Sequence, residues 1–203
     1  MEQNMYFQKA ELRELIINER CYRDVREWAE LRQCYHPDTS QTRVAVTWFD
    51  DDIDTFITAA EQLSEWGENP LHYVTPGTIS IHGNKAVMMS PCVITLRFNE
   101  NEKEYDFISH VRLFYRAQRL EPTLVWKLRS LQTIYVQDAV VPSSPSPQQS
   151  LVIDTSLRRQ SYKHLSWLLE QRGFEVSDNL PGVDLPATID REMSGLSQWL
   201  YRK

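Results

Sequence analysis

The sequence predicts an α+β fold, in which N-terminal helices precede a curved antiparallel sheet and a helical C-terminal extension follows it. Three observations carry this. Apolar residues recur at helical spacing through the first third of the chain, period-two alternation takes over from Leu71, and the Pro/Ser-rich stretch VVPSSPSPQQS separates the sheet from two further helical patterns.

The first element runs from Lys9 to about Tyr35, with Leu12, Leu15, Ile16, Ile17 and Leu31 among many Glu and Arg, and is expected to break once near Val25–Glu27. His36-Pro37-Asp38 stops it, because proline disfavours helix in the residue before it. Arg43–Phe49 is β-branched and aromatic and reads as one strand. Asp50-Asp51-Asp52 supplies capping carboxylates for a second helix. That helix carries Ile53, Phe56, Ile57, Ala60 and Leu63 on one face and ends near Gly67.

Leu71–Thr75, Thr78–His82, Lys85–Phe98, Glu104–Leu120 and Leu124–Asp138 then read as strands. The breaks between them are Pro76-Gly77, Gly83-Asn84, Asn99–Asn101 and Glu121-Pro122. Short breaks between consecutive strands imply an antiparallel meander. Residues 141–150 are expected to be an extended, mobile linker. Beyond it, Asp154–Arg172 and Ala187–Tyr201 read as helices, the first closed by Gly173.

Composition excludes several classes of function. The chain has 203 residues and a net charge of −6 without a Lys/Arg block, so a nucleic-acid footprint is not expected. No apolar run approaches the ~20 residues that span a bilayer, and the N-terminus has no signal-peptide pattern. Three scattered cysteines, Cys21, Cys34 and Cys92, make neither a disulfide framework nor a zinc site, and a reducing cytoplasm is the expected compartment. Phosphate-cradling glycine motifs are absent from the six-glycine sequence. Neither a metal nor a cofactor is expected.

Ile17, Cys21, Asp24, Trp28, Leu31 and Tyr35 fall on one helical face, all apolar or aromatic except Asp24. Such an Asp either sits at the rim, solvated or paired with Arg20 or Arg23, or is buried and needs a partner. In the sheet, His72 shares a face with Val74, and His110 shares one with Asp106, Ile108, Arg112 and Phe114, facing either water or a polar-lined cavity. Arg129 alternates with Val125, Lys127, Leu131, Thr133 and Tyr135. For these three the plain alternative is a solvated sheet face. Trp48, Trp66 and Trp126 suit a core, and Cys92 has no evident base beside it. If helix and curved sheet enclose a pocket, Asp24 and His72 form an orienter–base pair without a covalent nucleophile.

The run DVREWAELRQCYHPD, with Asp24, Glu27, Trp28 and Tyr35-His36-Pro37-Asp38, resembles the SnoaL-like group of the nuclear transport factor 2-like superfamily. VTWFDDDIDTFI resembles that group's strand-to-helix step, and LHYVTPGTISIHGNKAVMMS its His-bearing strand, turn and next strand. HVRLFYRAQR and VWKLRSLQTIYVQD, bearing Arg112, Trp126, Arg129 and Asp138, resemble its last two strands. The resemblance covers about residues 8–142. It implies an α+β cone with an interior pocket, a fold shared by scytalone dehydratase, hexachlorocyclohexane dehydrochlorinase, polyketide cyclases, steroid isomerases and noncatalytic binding domains. In the dehydratase branch an Asp on the first helix and a His on the following strand form the acid/base pair, and Asp24 and His72 stand at those places. His110 lies on the strand that carries scytalone dehydratase's second His. A tyrosine common in that branch five residues before the Asp is Glu19 here, while Tyr22 stands nearby at another helical angle.

The expected organisation is a cone over residues 8–140, a linker over 141–150 and a helical extension over 151–203. The expected function is that of a cofactor-independent lyase or isomerase, dehydratase-like, acting on a small, largely apolar substrate. Asp24, His72 and His110 are its catalytic candidates, and Tyr22, Trp28, Trp48, Arg112 and Arg129 its substrate-binding candidates. The alternative is a noncatalytic small-molecule-binding or assembly domain. Expected partners are a small molecule and further copies of the chain, as a dimer or trimer, with no nucleic acid and no membrane.

Overall fold

The structure is a computed structural model that describes residues 2–64, 69–144 and 151–202. Helix α1 spans Glu2–Val25 and α2 spans Trp28–Cys34, so the first helical pattern breaks where the sequence predicts. At the break Arg26 adopts φ +63°. Arg26 N–H donates to Arg23 O (3.3 Å) and Glu27 N–H to Tyr22 O (2.9 Å), closing α1 with the paired bonds of a Schellman motif. Tyr35 turns extended before His36-Pro37 and ends α2.

The single strand expected over Arg43–Phe49 is instead a hairpin. Strand β1 (Arg43–Val46) turns at Thr47-Trp48 into β2 (Phe49–Asp51). Its turn carries none of the Gly, Asn or Pro signals of hairpins, so the sequence does not announce it. Asp52 then caps α3 (Ile53–Ser64), its Oδ1 accepting from Asp54 N–H (2.8 Å) and Thr55 N–H (3.0 Å). Ile53, Phe56 and Ala60 of α3 are buried, as the spacing predicts. Its expected end near Gly67, and Trp66, lie outside the described residues.

Five further strands follow: β3 (Leu71–Val74), β4 (Thr78–His82), β5 (Lys85–Glu100), β6 (Lys103–Leu120) and β7 (Val125–Pro142). The sheet runs β2-β1-β7-β6-β5-β3, with β4 also on β5. All pairings are antiparallel except β1 on β7, which is parallel and makes the sheet mixed. Strand β7 claims Val141 and Pro142, the start of the expected linker, and residues 145–150 of that linker lie outside the described residues. The β6–β7 ladder shifts register between His110 and Val111 and between Arg116 and Ala117, and such bulges bend long strands into a concave sheet. Helices α1–α3 fill the concavity around a core that includes Leu12, Ile16, Leu31, Phe56, Met88 and Tyr115.

The C-terminal segment packs on both faces of the sheet. Only Lys163–Glu170 of the helix expected over Asp154–Arg172 forms α4; Gln160–Tyr162 before it is a 3-10 turn, and Leu157 is exposed. Helix α5 (Pro186–Tyr201) sets Leu196 against Phe114 and Ile134 on the outer face. Trp199 lies beneath Lys85 and Arg116.

Candidate active site

The face of α1 that enters the cone is not the one the apolar count picks. Ile17 and Cys21 are exposed, whereas Leu12, Ile16, Glu19 and Arg20 are buried. Glu19 is 0% exposed, and all of its acceptor capacity is spent. Arg20 grips it through Nε and Nη2, Tyr35 OH donates to Oε1 (2.8 Å), and Tyr115 OH donates to Oε2 (3.2 Å). Burial, and then the Glu19 carboxylate beside them, push both phenols well above the usual tyrosine range. The position where the dehydratase branch carries a phenol therefore holds a closed ionic network instead.

One helical turn on, Asp24 faces β3. His72 N–H donates to Asp24 Oδ2 (2.6 Å) and His72 Nδ1 to Asp24 Oδ1 (2.7 Å). Asn69 Nδ2 donates to Asp24 O (3.1 Å), tying the end of α1 to the approach of β3. Burial works to raise the Asp24 pKa, but the two bonds from His72 and the charge of Arg23 outweigh it and hold the carboxyl below its usual range. Burial lowers the His72 pKa, Asp24 opposes the shift, and the cations Arg20 and Arg23 reinforce it. An ionised Asp24 can only accept, so the proton of neutral His72 sits on Nδ1 and leaves a lone pair on Nε2.

His72 lines a cavity of about 150 Å³. Trp28 of α2, Trp48 of the β1–β2 turn, Phe56 of α3, Ile94 and Leu96 of β5 and Phe107 and Leu113 of β6 form most of its apolar wall. Trp48 stacks on Phe56 with centroids 5.5 Å apart. The C-terminal segment completes the enclosure with Leu165, Leu168, Leu169, Arg172 and Phe174. On β7, Thr133 and Tyr135 reach the same space, with the Tyr135 hydroxyl bonded to Thr47 Oγ1.

The structure thus joins Asp24, His72, Trp28 and Trp48, four of the residues singled out from sequence. Tyr22 is half-buried against the main core and is not a cavity-lining residue. His110 and Arg112 are exposed, because Ser109, Val111 and Leu113 take the inward positions of β6. Arg129 is the extra residue of a bulge: Ala117 pairs with Leu128 and Arg116 with Ser130. The bulge reverses the alternation, so Trp126 and Leu128 point inward before it and Thr133 and Tyr135 after it, while Arg129 turns out to Gln41 O (2.7 Å) and Gln118. His110, Arg112 and Arg129 are not brought to the Asp24–His72 pair.

Sequence reasoning missed the Glu19–Arg20 pair, Tyr135 with Thr47, and the share of 165–174 in the cavity. The Leu165, Leu168, Leu169 stripe was the signal for the last of these. Burial pushes the Cys34 and Cys92 thiols up to about 12, which leaves neither a thiolate at neutral pH. Among the described residues no group of three or more His, Cys, Asp or Glu is arranged to hold a metal, and no helix is long and apolar enough to cross a membrane.

No family model matches the chain. It is 26% identical over 209 aligned positions to pea pathogenicity protein 2 of Fusarium vanettenii, covering 98% of this chain and 86% of that protein. It is 28% identical over 198 positions to an uncharacterised protein of Aspergillus terreus, covering 88% and 71%. Among solved structures, a type 2 hexachlorocyclohexane dehydrochlorinase superposes with TM-score 0.60 at 12% identity, covering 73% of this chain and all of that one. A candidate scytalone dehydratase of Novosphingobium aromaticivorans superposes with TM-score 0.58 at 13% identity, covering 74% and 100%. At such identities the likeness is one of fold, and it matches the mixed, open sheet wrapped around α1–α3. The chain has the nuclear transport factor 2-like α+β fold, shared with a candidate dehydratase of the NTF2-like family from Streptomyces avermitilis that superposes with TM-score 0.52 at 11% identity, covering 63% of this chain and 94% of that one.

Proposed function

We propose that the protein is a cofactor-independent lyase or isomerase in which His72 removes a proton from carbon and Asp24 holds the imidazole in place. The observation that carries this reading is the two-point bond from His72 to Asp24 at the wall of a partly open, mostly apolar cavity. His72 Nε2 takes the proton, and Asp24 supports the imidazolium that forms. In an elimination the C–H electron pair becomes the new double bond as the group on the neighbouring carbon departs with its own electrons. Tyr135 lines the same cavity, and its hydroxyl proton is free for that group when Thr47 is the donor in the bond between the two hydroxyls. In an isomerisation the imidazolium returns the proton to a different carbon. Likeness of fold to a dehydrochlorinase and to a candidate dehydratase supports the elimination class. The cavity volume suits a single small ring, since a space of ~150 Å³ admits a molecule of benzene size.

A binding-only reading is favoured by one observation: Tyr35 and Tyr115 are both committed to Glu19, so neither phenol is available to polarise a substrate. Small cyclic ketones and hydroxylated ring compounds incubated in D2O separate the two readings. The enzyme reading expects deuterium uptake or loss of water, reduced by ~10²–10⁴-fold in His72→Ala. Exchange within a few fold of wild type in that variant would remove His72 from the reaction. Binding of the ring compounds with no exchange in any of them would leave the cone as a receptor. A cytoplasmic location and a dimeric or trimeric state belong to the same proposal, and cell fractionation and analytical ultracentrifugation test them.

A further inference from the structure

The protein is acidic overall, yet its cavity is not. Among the described residues its lining holds four arginines, Arg20, Arg23, Arg26 and Arg172, and no Asp or Glu. Two of these are engaged elsewhere. Arg20 spends Nε and Nη2 on Glu19, while Arg172 donates to Leu168 O (2.6 Å) and lies over the Phe98 ring. Arg26 is exposed at the end of α1.

Arg23 is different. Its side chain is 11% exposed, and among the described residues its one ionic contact is with Asp24 Oδ1 at 3.7 Å, too long for a hydrogen bond. Asp24 has already given both oxygens to His72. A guanidinium carries five donors in a planar fork, and none of those of Arg23 is among the buried atoms left without a partner, so its unspent donors open onto accessible space at the cavity it lines. Burial lowers the Arg23 pKa to about 10, with Arg20 adding repulsion and Asp24 and Glu19 only partly offsetting both. A planar, two-oxygen anion is the partner that fills such a fork from the cavity side.

We propose that the natural ligand is a small ring compound bearing a carboxylate, and that Arg23 binds that carboxylate beside His72. The proposal deepens the proposed function by naming the substrate class, and it rests on that reading only for the place where the ligand sits. The remaining surface of the ligand is apolar, as Trp28, Trp48, Phe56, Phe107 and Leu113 require. Carboxylate capture makes Arg23 a specificity-determining residue, whereas His72 decides whether chemistry follows.

Calorimetric titration of the full chain at pH 7.5 with benzoate and with its neutral isostere benzamide tests this. Wild type is expected to bind benzoate about 10-fold to 100-fold more tightly than benzamide, the range set by hydrogen bonds to a charged group. Arg23→Gln should abolish that preference and leave benzamide affinity unchanged, and Arg23→Lys should retain part of it. Thermal melts of both variants establish that they fold. His72→Gln should keep the benzoate preference, which separates failure of the proton-transfer reading from failure of this one. Equal binding of the two probes by wild type would overturn the proposal. So would a preference that survives in Arg23→Gln and disappears in His72→Gln, because the anion site would then be the imidazole.

Discussion

The cone contains two Asp–His pairs of nearly the same design, placed in opposite settings. Asp24 accepts from His72 Nδ1 and from a backbone N–H of the His-bearing strand. Asp138, 0% exposed, accepts from His164 Nδ1 (2.9 Å) and from the backbone N–H of Leu165 (2.7 Å). Asp138 thereby caps the N-terminus of α4, where Tyr162 offers no side-chain cap and where a negative charge is favoured. Asp24 instead sits in the last turn of α1, the end at which the helix dipole disfavours a carboxylate. It is held there by His72, with Arg23 nearby. His72 lines the cavity and His164 does not. The same hydrogen-bond pattern therefore serves as a latch where it relieves a helix end, and as a candidate reaction centre where it loads one.

The largest expected difference between the pairs is in turnover. His72→Ala should lower kcat by ~10²–10⁴-fold, the range for loss of a positioned base, whereas His164→Ala should change it by only a few fold. The stabilities should run the other way. His164→Ala leaves a fully buried Asp138 oxygen without its partner, which costs about 1–3 kcal/mol. Chemical denaturation of both variants, with kcat measured once a substrate is in hand, checks the crossed pattern. A His164→Ala protein as inactive as His72→Ala would erase the distinction.

A smaller effect separates the pairs by pH. Both Asp24 and His72 have folded pKa values below their ordinary ones. For each, the unfolded chain binds more protons between the two values, so stability falls on acidification. His72 contributes as the pH falls below 6.5, and Asp24 as it falls below 3.8. The activity profile should have an acid limb that lies below pH 6.5, where Nε2 becomes protonated. Asp24→Asn removes the group that raises the His72 pKa, so its acid limb should move to lower pH while the rate drops. Denaturation midpoints between pH 7 and 5 should decline in wild type and flatten in His72→Gln. A decline that persists in His72→Gln would assign the titration elsewhere.

The legibility of the chain divides along the same line. Local patterns carried β3–β7, the break after Val25 and the ends of α2 and α5, because turn residues and alternation act over a few positions. The pairing of Asp24 with His72, 48 residues apart, was legible only as a condition on an enclosed pocket and through family resemblance, since no spacing rule connects a helix end to a distant strand. Arg129 was misplaced because strict alternation cannot see a bulge. The cavity-facing side of α1 was misjudged by counting apolar residues, because Glu19 and Arg20 enter the core as a satisfied ion pair among Tyr35 and Tyr115. Helix α4 is shorter than its pattern because its start is fixed by Asp138, a residue of another element.

The smallest expected effect contrasts how the two helices end. Helix α4 closes on Gly173 at φ +81°, with Gly173 N–H donating to Glu170 O (3.0 Å) and Phe174 N–H to Leu169 O (3.1 Å). Helix α1 closes with the same pair of bonds, but the left-handed residue is Arg26. A side chain in that region costs about 1–2 kcal/mol that glycine does not incur. Arg26→Gly should therefore stabilise the fold by about 1 kcal/mol, raising Tm by ~2–4 °C for a chain of this size. Gly173→Ala should destabilise by a similar amount through the backbone alone, since an added Cβ meets nothing within 4 Å. Because Arg26 lines the cavity, its gain in stability should come with slower capture of an anionic ligand, and that slowing should be strongest at low salt. Stopped-flow association of benzoate with wild type and Arg26→Gly, at two ionic strengths, measures it. A gain in stability with no change in association rate would make Arg26 a strained helix end only. A loss of stability would mean that its guanidinium holds the turn around Asp24 in a way its backbone angle does not reveal.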